Sequence, residues 1–179
     1  MKQRVRLIIR LRLNNYMKKI GIINEHNFSI EKIEKLPIRK KARGLIFKNK
    51  NTLICIEENG YGIKHLLKLP GGSIEKNESN IKAIKREILE ETGYEIDDIK
   101  CLGFIENIRK EYSIHIIYYV AKTKGKKKKL KLTDAELKVE TKPIEIDIEV
   151  ARKRFKVEFN KSHNDSSLRD IMMFNELNK

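Results

Sequence analysis

The chain of 179 residues is long enough for one well-packed domain with a small extension, and 40% of its residues are hydrophobic. Charged residues make up 36% of the chain, and the formal net charge is +15 at pH 7. Because the apolar residues recur in periodic blocks, this composition excludes a disordered chain, and a total of 2 cysteines excludes a disulfide framework. No apolar run reaches the roughly 18–20 residues that a membrane-spanning helix needs.

The first 38 residues are predicted to form an N-terminal basic strand and a linker. Between Val5 and Leu13, apolar residues alternate with arginines, which is the period of a β-strand and not that of a helical targeting peptide. We therefore expect a cytoplasmic protein with an extra strand here, followed by an irregular linker over residues 14–38. The strand either completes the domain's own sheet or pairs with a second subunit, which would make a homodimer.

Residues 39–179 carry strand and helix patterns that indicate one α/β domain, including two C-terminal helices. A hairpin is predicted first, with strands over Ala42–Phe47 and Thr52–Glu57, followed by a short strand that ends at Pro70. A capped helix, two paired strands, a further short strand and the final helices follow in chain order. Mixed elements of this kind favour a layered sandwich over a bundle or a barrel.

The helix after Pro70 carries three acids in a strongly basic chain. It is predicted to begin after Ser79 or Asn80 and to end at Gly93, in the left-handed conformation. Three isoleucines share a stripe that we expect to face the sheet: Ile81, Ile84 and Ile88. Three glutamates form a second stripe about 90° away, at the border of the buried face: Glu87, Glu90 and Glu91.

Acids at this spacing repel one another by roughly 0.2–0.5 kcal/mol per pair, so something should offset the repulsion. Three carboxylates at the margin of a core suit a hard divalent cation such as magnesium, which takes oxygen ligands. The Gly71-Gly72 turn just before the helix lets the backbone approach a ligand closely. Arg86, four residues before Glu90, can orient that carboxylate by a charge-assisted hydrogen bond.

From Gly72 to Tyr94 the chain resembles the Nudix box at every defining position. Gly72 is followed after five residues by Glu78, and after seven more by Arg86-Glu87-Ile88. Glu90-Glu91, Gly93 and the apolar Tyr94 complete the motif. The resemblance implies the Nudix fold, an α/β/α sandwich with a mixed central sheet.

This resemblance also implies an activity and a set of roles. Nudix hydrolases cleave a nucleoside diphosphate linked to another group, by attack of water on phosphorus. The resemblance makes Glu78 and Arg86 structural supports of the site. It implies four ligands of Mg²⁺ or Mn²⁺, the first through its carbonyl oxygen: Gly72, Glu87, Glu90 and Glu91.

The resemblance leaves the identity of the general base open. In some members of the family it is a glutamate of the box, here Glu90, and in others a glutamate on a distant loop, for which Glu136 and Glu140 are the candidates. Residues expected to contact substrate are Arg43, at the start of the first hairpin strand, and Lys64 and His65, before the box.

Two alternatives to a small-nucleotide hydrolase remain. The same box could act on the 5′ end of RNA, removing pyrophosphate or a cap, with the basic strand and the lysine run at residues 124–131 holding the phosphate backbone. No aromatic residues interleave with that run, which favours an ordinary solvated loop. A non-catalytic nucleotide sensor is the other alternative, although no carboxylate of the box is lost.

Overall fold

The structure, a computed structural model, describes residues 17–177. Strands and helices alternate through this part of the chain. Their bounds are β1 Lys19–Asn24, α1 Ile30–Glu34, β2 Ile38–Phe47, β3 Thr52–Gly60, β4 Ile63–Lys68, α2 Asn80–Thr92, β5 Glu95–Ile108, β6 Ser113–Lys124, α3 Asp134–Lys138, β7 Lys142–Asp147, α4 Ile148–Ser162 and α5 Asp165–Glu176.

In this part of the chain, seven strands form one mixed sheet in the order β1-β5-β6-β2-β3-β4, with β7 paired to β3. The pairs β1–β5 and β2–β6 are parallel, and the other pairs are antiparallel. The predicted hairpin is present as β2 and β3, and the two paired strands after the helix are β5 and β6.

Helices cover both faces of the sheet. Alternate residues of β2 and β3 point to opposite sides, so Ile46 and Ile54 pack against α2 while Leu45 and Leu53 pack against α4 and α5. Each fully buried side chain of this size contributes about 1.5–3 kcal/mol to stability. The α/β/α sandwich with a mixed central sheet is confirmed.

Helix α2 begins and ends where the sequence predicts. The Ser79 side chain accepts a hydrogen bond from the backbone N–H of Lys82, and Gly93 closes the helix at φ 77°. Ile84 and Ile88 are fully buried against the sheet, but Ile81 is 42% exposed, so its assignment to the buried stripe was wrong. Ala83 is buried instead, on the other side of the stripe, and Ile81 lies in the first turn at the margin of the buried face.

The N-terminal region differs from a linker over its described part. Residues 19–24 form β1, which runs parallel to β5 and is the outermost strand of the sheet among residues 17–177, and α1 follows. The sequence pattern missed β1 because Ile20, Ile22 and Ile23 do not alternate regularly with polar residues. The predicted strand between Val5 and Leu13 lies outside the described residues.

Within residues 17–177, no helix is long and apolar enough to cross a membrane. Both cysteines are free thiols: Cys55 is buried in the core and Cys101 is exposed on β5.

Candidate active site

A loop between β4 and α2 forms the floor of the candidate site by pairing with the edge of β2. The backbone N–H of Ala42 donates to the carbonyl oxygen of Gly72 at 2.9 Å, and Gly44 donates to Pro70 at 3.0 Å. Lys41 and Ser73 form an isolated antiparallel bridge. These bonds fix the Gly71-Gly72 turn against the sheet.

Gly71 is required by a close backbone contact, and Gly72 lies against a side chain. A Cβ on Gly71, whose φ is 131°, would lie 2.2 Å from the carbonyl oxygen of Ala42. A Cβ on Gly72 would lie 2.3 Å from a carboxylate oxygen of Glu87. The group that approaches the backbone of Gly72 closely is the carboxylate of Glu87.

Three carboxylates converge beside this turn. Oxygen atoms of Glu87 and Glu91 on α2 and of Glu136 on α3 all lie within 4.8 Å of one another. Glu87 and Glu91 are buried, at 8% and 5% exposure, and Glu136 is half-buried. The backbone N–H of Gly71 donates to Glu91 at 2.6 Å, which holds this carboxylate against the turn.

Burial dominates the electrostatics of the cluster. It raises the pKa of Glu91 to about 8, against the lowering effect of the Gly71 N–H bond and the nearby Arg43. It also raises the pKa of Glu87, against the opposing effect of Arg86. Two buried acids with raised pKa values beside a third carboxylate form a group that a bound cation would stabilise in its ionised state.

Arg86 links the loop before α2 to the acids on the helix. Its guanidinium donates to both oxygens of Glu78 at 2.9 Å, to Glu87 at 2.9 Å and to Glu90 at 3.1 Å. It also donates to the carbonyl oxygen of Ser73 at 3.0 Å. Arg86 thereby connects Glu78 and Ser73, in the loop, to Glu87 and Glu90 on α2 through charge-assisted hydrogen bonds.

The segment before α3 carries Glu136 back to the site. Lysines dominate residues 124–131, called here the lysine loop, and its backbone covers the C-terminal end of α2. The N–H of Lys128 donates to Gly93 at 2.7 Å, and that of Lys131 donates to Glu90 at 2.9 Å, in both cases to the carbonyl oxygen. Thr133 and Glu136 then form a reciprocal capping box at the start of α3.

Of the other residues singled out by the sequence, Glu140, Lys64 and His65 do not belong to the carboxylate cluster, whereas Arg43 lies close enough to Glu91 to lower the pKa of that carboxyl. Glu140 is exposed and accepts a hydrogen bond from Asn59 at 3.0 Å. The Arg43 guanidinium donates to the carbonyl oxygen of Leu69. Lys64 and His65 are exposed on β4, where the His65 ring lies 3.7 Å from Glu57.

Glu90 and Gly72 border the cluster. The Glu90 side chain is 33% exposed and is held by Arg86, outside the group formed by Glu87, Glu91 and Glu136. The Gly72 carbonyl oxygen is used in the bond from Ala42, and its second lone pair remains available to a cation.

Sequence reasoning missed one residue beside the site and did not foresee the place of another. Lys41 adjoins the Gly71-Gly72 turn through its bridge to Ser73, and its place in an alternating Arg39-Lys41-Arg43 row is a signal that could have found it. Glu136 was considered as a base, but its position within a carboxylate cluster depends on the path of the lysine loop, which no local pattern specifies.

The family model described as NUDIX domain matches residues 38–158. Together with the fold and the completed box, this match shows that the chain belongs to the Nudix family. A hydrolase of this family from Nitrosomonas europaea is similar in fold, with a TM-score of 0.57 and 18% identity over 80% of this chain and 90% of that one. The E. coli ORF135 protein is similar with a TM-score of 0.52 and 15% identity, covering 67% of this chain and 81% of its own.

A curated relative provides a shorter match in sequence. It is the 8-oxo-dGTP diphosphatase of Buchnera aphidicola subsp. Acyrthosiphon pisum (strain APS), 36% identical over 59 residues, or 33% of this chain. The match spans about half of that relative, at 48% of its length.

Proposed function

We propose that this protein is a divalent-cation-dependent pyrophosphohydrolase that cleaves a nucleoside diphosphate linked to another group, by attack of water on phosphorus. The observation that carries the proposal is the convergence of Glu87, Glu91 and Glu136, whose carboxylate oxygens lie within 4.8 Å of one another. The complete box around two of these residues, in a chain of the Nudix family, supports the same reaction.

Mg²⁺ or Mn²⁺ suits this site because the three side chains offer carboxylate oxygens, which hard cations prefer. Glu87, Glu91 and Glu136 would hold the cation, with the Gly72 carbonyl as a further ligand. When bound, it would neutralise the charge of a pyrophosphate group and polarise the attacked phosphorus. Ionisation of Glu87 and Glu91 is unfavourable in free energy because both side chains are buried. A cation bound between them would offset this unfavourable term.

Two residues are candidates for taking the proton from the attacking water. Glu90 is partly exposed, and among residues 17–177 Arg86 is the one side chain that donates to its carboxylate, so an oxygen remains free for water. Glu136 already accepts two hydrogen bonds from Thr133 through one oxygen and belongs to the carboxylate cluster. We therefore assign the general base to Glu90 ahead of Glu136, and do not retain Glu140, which lies outside the site.

A purine nucleoside triphosphate is the first substrate to test, because the relative from Buchnera is named an 8-oxo-dGTP diphosphatase. The 5′ end of RNA is the alternative that the exposed lysines favour, and a nucleotide sensor is the alternative without chemistry. A nucleotide substrate and two free thiols support a cytoplasmic location.

The decisive experiment measures phosphate or pyrophosphate release from a substrate panel, with magnesium and with EDTA. The panel contains nucleoside triphosphates, 8-oxo-dGTP, nucleotide sugars, ADP-ribose, dinucleoside polyphosphates and 5′-triphosphorylated RNA. We expect magnesium-dependent turnover that Glu90→Gln and Glu87→Gln each reduce by about 100-fold or more. Glu75→Gln, on the exposed part of the same loop, is the matched control and should retain full activity.

Binding of nucleotides without turnover of any panel member would contradict the proposal and favour the sensor. Turnover confined to RNA would move the assignment to a 5′-end pyrophosphohydrolase.

A further inference from the structure

The first half of β2 carries a row of cations on one face of the sheet. Arg39, Lys41 and Arg43 occupy alternate positions, followed in the same register by Leu45, which packs in the α4–α5 core. Lys40, on the opposite face, is exposed, whereas Lys41 is half-buried. Adjacent lysines of one strand thus lie in different surroundings.

The neighbours of Lys41 are themselves cationic. Burial lowers the pKa of Lys41, and repulsion from Arg43, Arg169 and Lys68 lowers it further. Two of these cations have partners of their own: Lys68 bonds to Glu58, and the Arg43 guanidinium donates to Leu69. The side chain of Lys41 makes no hydrogen bond or ion pair within residues 17–177.

Among the charges that act on Lys41, the carboxylate of Glu87 opposes the lowering of its pKa. That carboxylate already accepts a bond from Arg86 at 2.9 Å and faces Glu91 and Glu136 in the cluster. A cation held by the cluster would take up the remaining charge of Glu87. The Lys41 ammonium would then be a partly desolvated positive charge without an anion, which is unfavourable unless a ligand supplies one.

The position of Lys41 identifies that ligand. Its backbone is bridged to Ser73, so its side chain starts beside the turn that carries Gly71 and Gly72. An ammonium group is a compact charge with three donors, which suits a phosphate. The turn lies between Lys41 and α2, so a pyrophosphate bound at the carboxylate cluster would reach the Lys41 ammonium by extending past this turn.

We propose that Lys41 binds a phosphate group of the substrate, on the side of the sheet that faces α4 and α5. This inference rests on the proposed function, because a phosphate must be present at the carboxylate cluster. It adds to the site a residue outside the box that opposes the charge of the substrate without contributing to cation binding.

The test compares adjacent lysines of β2. Lys41→Met removes the charge and keeps most of the unbranched side chain, and Lys40→Met makes the same change on the exposed face of the same strand. Calorimetric titration with an α,β-methylene nucleoside triphosphate, and separately with inorganic pyrophosphate, both in magnesium, gives the Kd without turnover. We expect Lys41→Met to raise both Kd values about tenfold or more, Lys40→Met to change them less than about twofold, and Lys41→Arg to restore part of the affinity.

Equal effects of Lys41→Met and Lys40→Met, or an unchanged Kd in Lys41→Met, would overturn the proposal. Thermal unfolding separates binding from a structural role, because removing an unpartnered ammonium should leave the midpoint unchanged or higher. A lower midpoint with an unchanged Kd would make Lys41 a structural residue and also reject the proposal.

These measurements distinguish failure of the Lys41 proposal from failure of the proposed hydrolase function. A Kd that depends on Lys41 in a protein that turns over no panel substrate would support the phosphate site while the hydrolase fails. Turnover of a nucleotide with a KM that is the same in Lys41→Met and the native protein would reject the phosphate site alone.

Discussion

Glu91 is the least exposed acid of the carboxylate cluster, and its raised pKa ties stability to pH. Burial raises the pKa of Glu91 to about 8 from a value of 4.5. Between these values the folded protein retains a proton that the unfolded chain releases, so the stabilisation is complete below about pH 4.5 and is lost as the pH rises through about 8. In the metal-free protein this effect is on the order of a few kcal/mol.

We expect Glu91→Gln to remove this part of the pH dependence, because the amide cannot ionise. Urea unfolding in EDTA at pH 5.5 and pH 8 measures the free energy of unfolding for the native protein and the variant. The loss of stability between the two pH values should be smaller in the variant. Glu75→Gln, an exposed change in the preceding loop, should retain the native dependence, and a Glu91→Gln slope equal to it would refute the assignment.

The side chain of Arg86 donates hydrogen bonds to three acids at once. Arg86→Lys keeps the charge but loses the planar group that bonds both oxygens of Glu78 while reaching Glu87. We expect the variant to lose about 1–3 kcal/mol of unfolding free energy, measured by urea denaturation at pH 7. The control Lys85→Arg, at the exposed neighbouring position, should stay within about 0.5 kcal/mol of the native protein. An unchanged midpoint in Arg86→Lys would show that the network is not required for stability.

Among the elements, α2 and the lysine loop meet at one glycine. Gly93 has φ 77°, and a Cβ there would lie 2.4 Å from the carbonyl oxygen of Lys128. Gly125, near the start of the lysine loop, has a similar φ of 69° but nothing within 4 Å of its Cβ position. A side chain at either glycine would therefore be strained by the left-handed backbone conformation. Only at Gly93 would it also clash with the lysine loop.

We expect Gly125→Ala to cost about 1–2 kcal/mol from the backbone conformation and Gly93→Ala to cost clearly more, because the loop must move. Denaturant unfolding of both variants measures the difference. Displacement of the loop in Gly93→Ala should also weaken cation binding, since the loop leads directly to Glu136. Equal costs in both variants would mean that the end of α2 and the lysine loop are not tightly coupled.

Elements with a strong local pattern were predictable from the sequence. The bounds of α2 follow from its cap at Ser79 and its end at Gly93, and the hairpin and the paired strands follow from alternation. Elements whose position depends on contacts with distant parts of the chain were not predictable from the sequence. Strand β1 is short and irregular in pattern, and it is held by parallel pairing with β5, more than 80 residues later.

The same distinction applies to the candidate site, where residues on one helix were predictable and residues from other elements were not. The box specifies Glu87, Glu91 and Arg86, because their spacing on one helix sets their relative positions. Glu136 and Lys41 come from other elements, and the packing of a loop and the pairing of β2 with the glycine turn bring them in. Local spacing cannot reveal such contacts, which form between residues far apart in the chain.

At the scale of the whole molecule, the charge of +15 is spread widely, and the lysine loop holds six lysines. Its lysines are exposed, and Lys128 pairs with Glu95 at 2.5 Å. A second exposed group lies on α4, on the other side of the sheet: Lys153, Lys156 and Lys161. These two groups allow a localised RNA-binding surface to be distinguished from a generally basic protein.

We expect single-stranded RNA to bind weakly at low salt and to be released as salt rises, because the charge acts without aromatic side chains to stack bases in the lysine loop. Replacing Lys126, Lys127 and Lys129 with Gln should reduce the salt dependence of binding no more than the matched triple change on α4. Turnover of nucleoside triphosphates should differ from native by less than about twofold in both variants, since neither group belongs to the proposed site. If the loop variant alone loses about two units of the slope of log K against log salt, three phosphate contacts lie at the lysine loop. In that case the 5′ end of RNA, and not a small nucleotide, becomes the substrate to pursue.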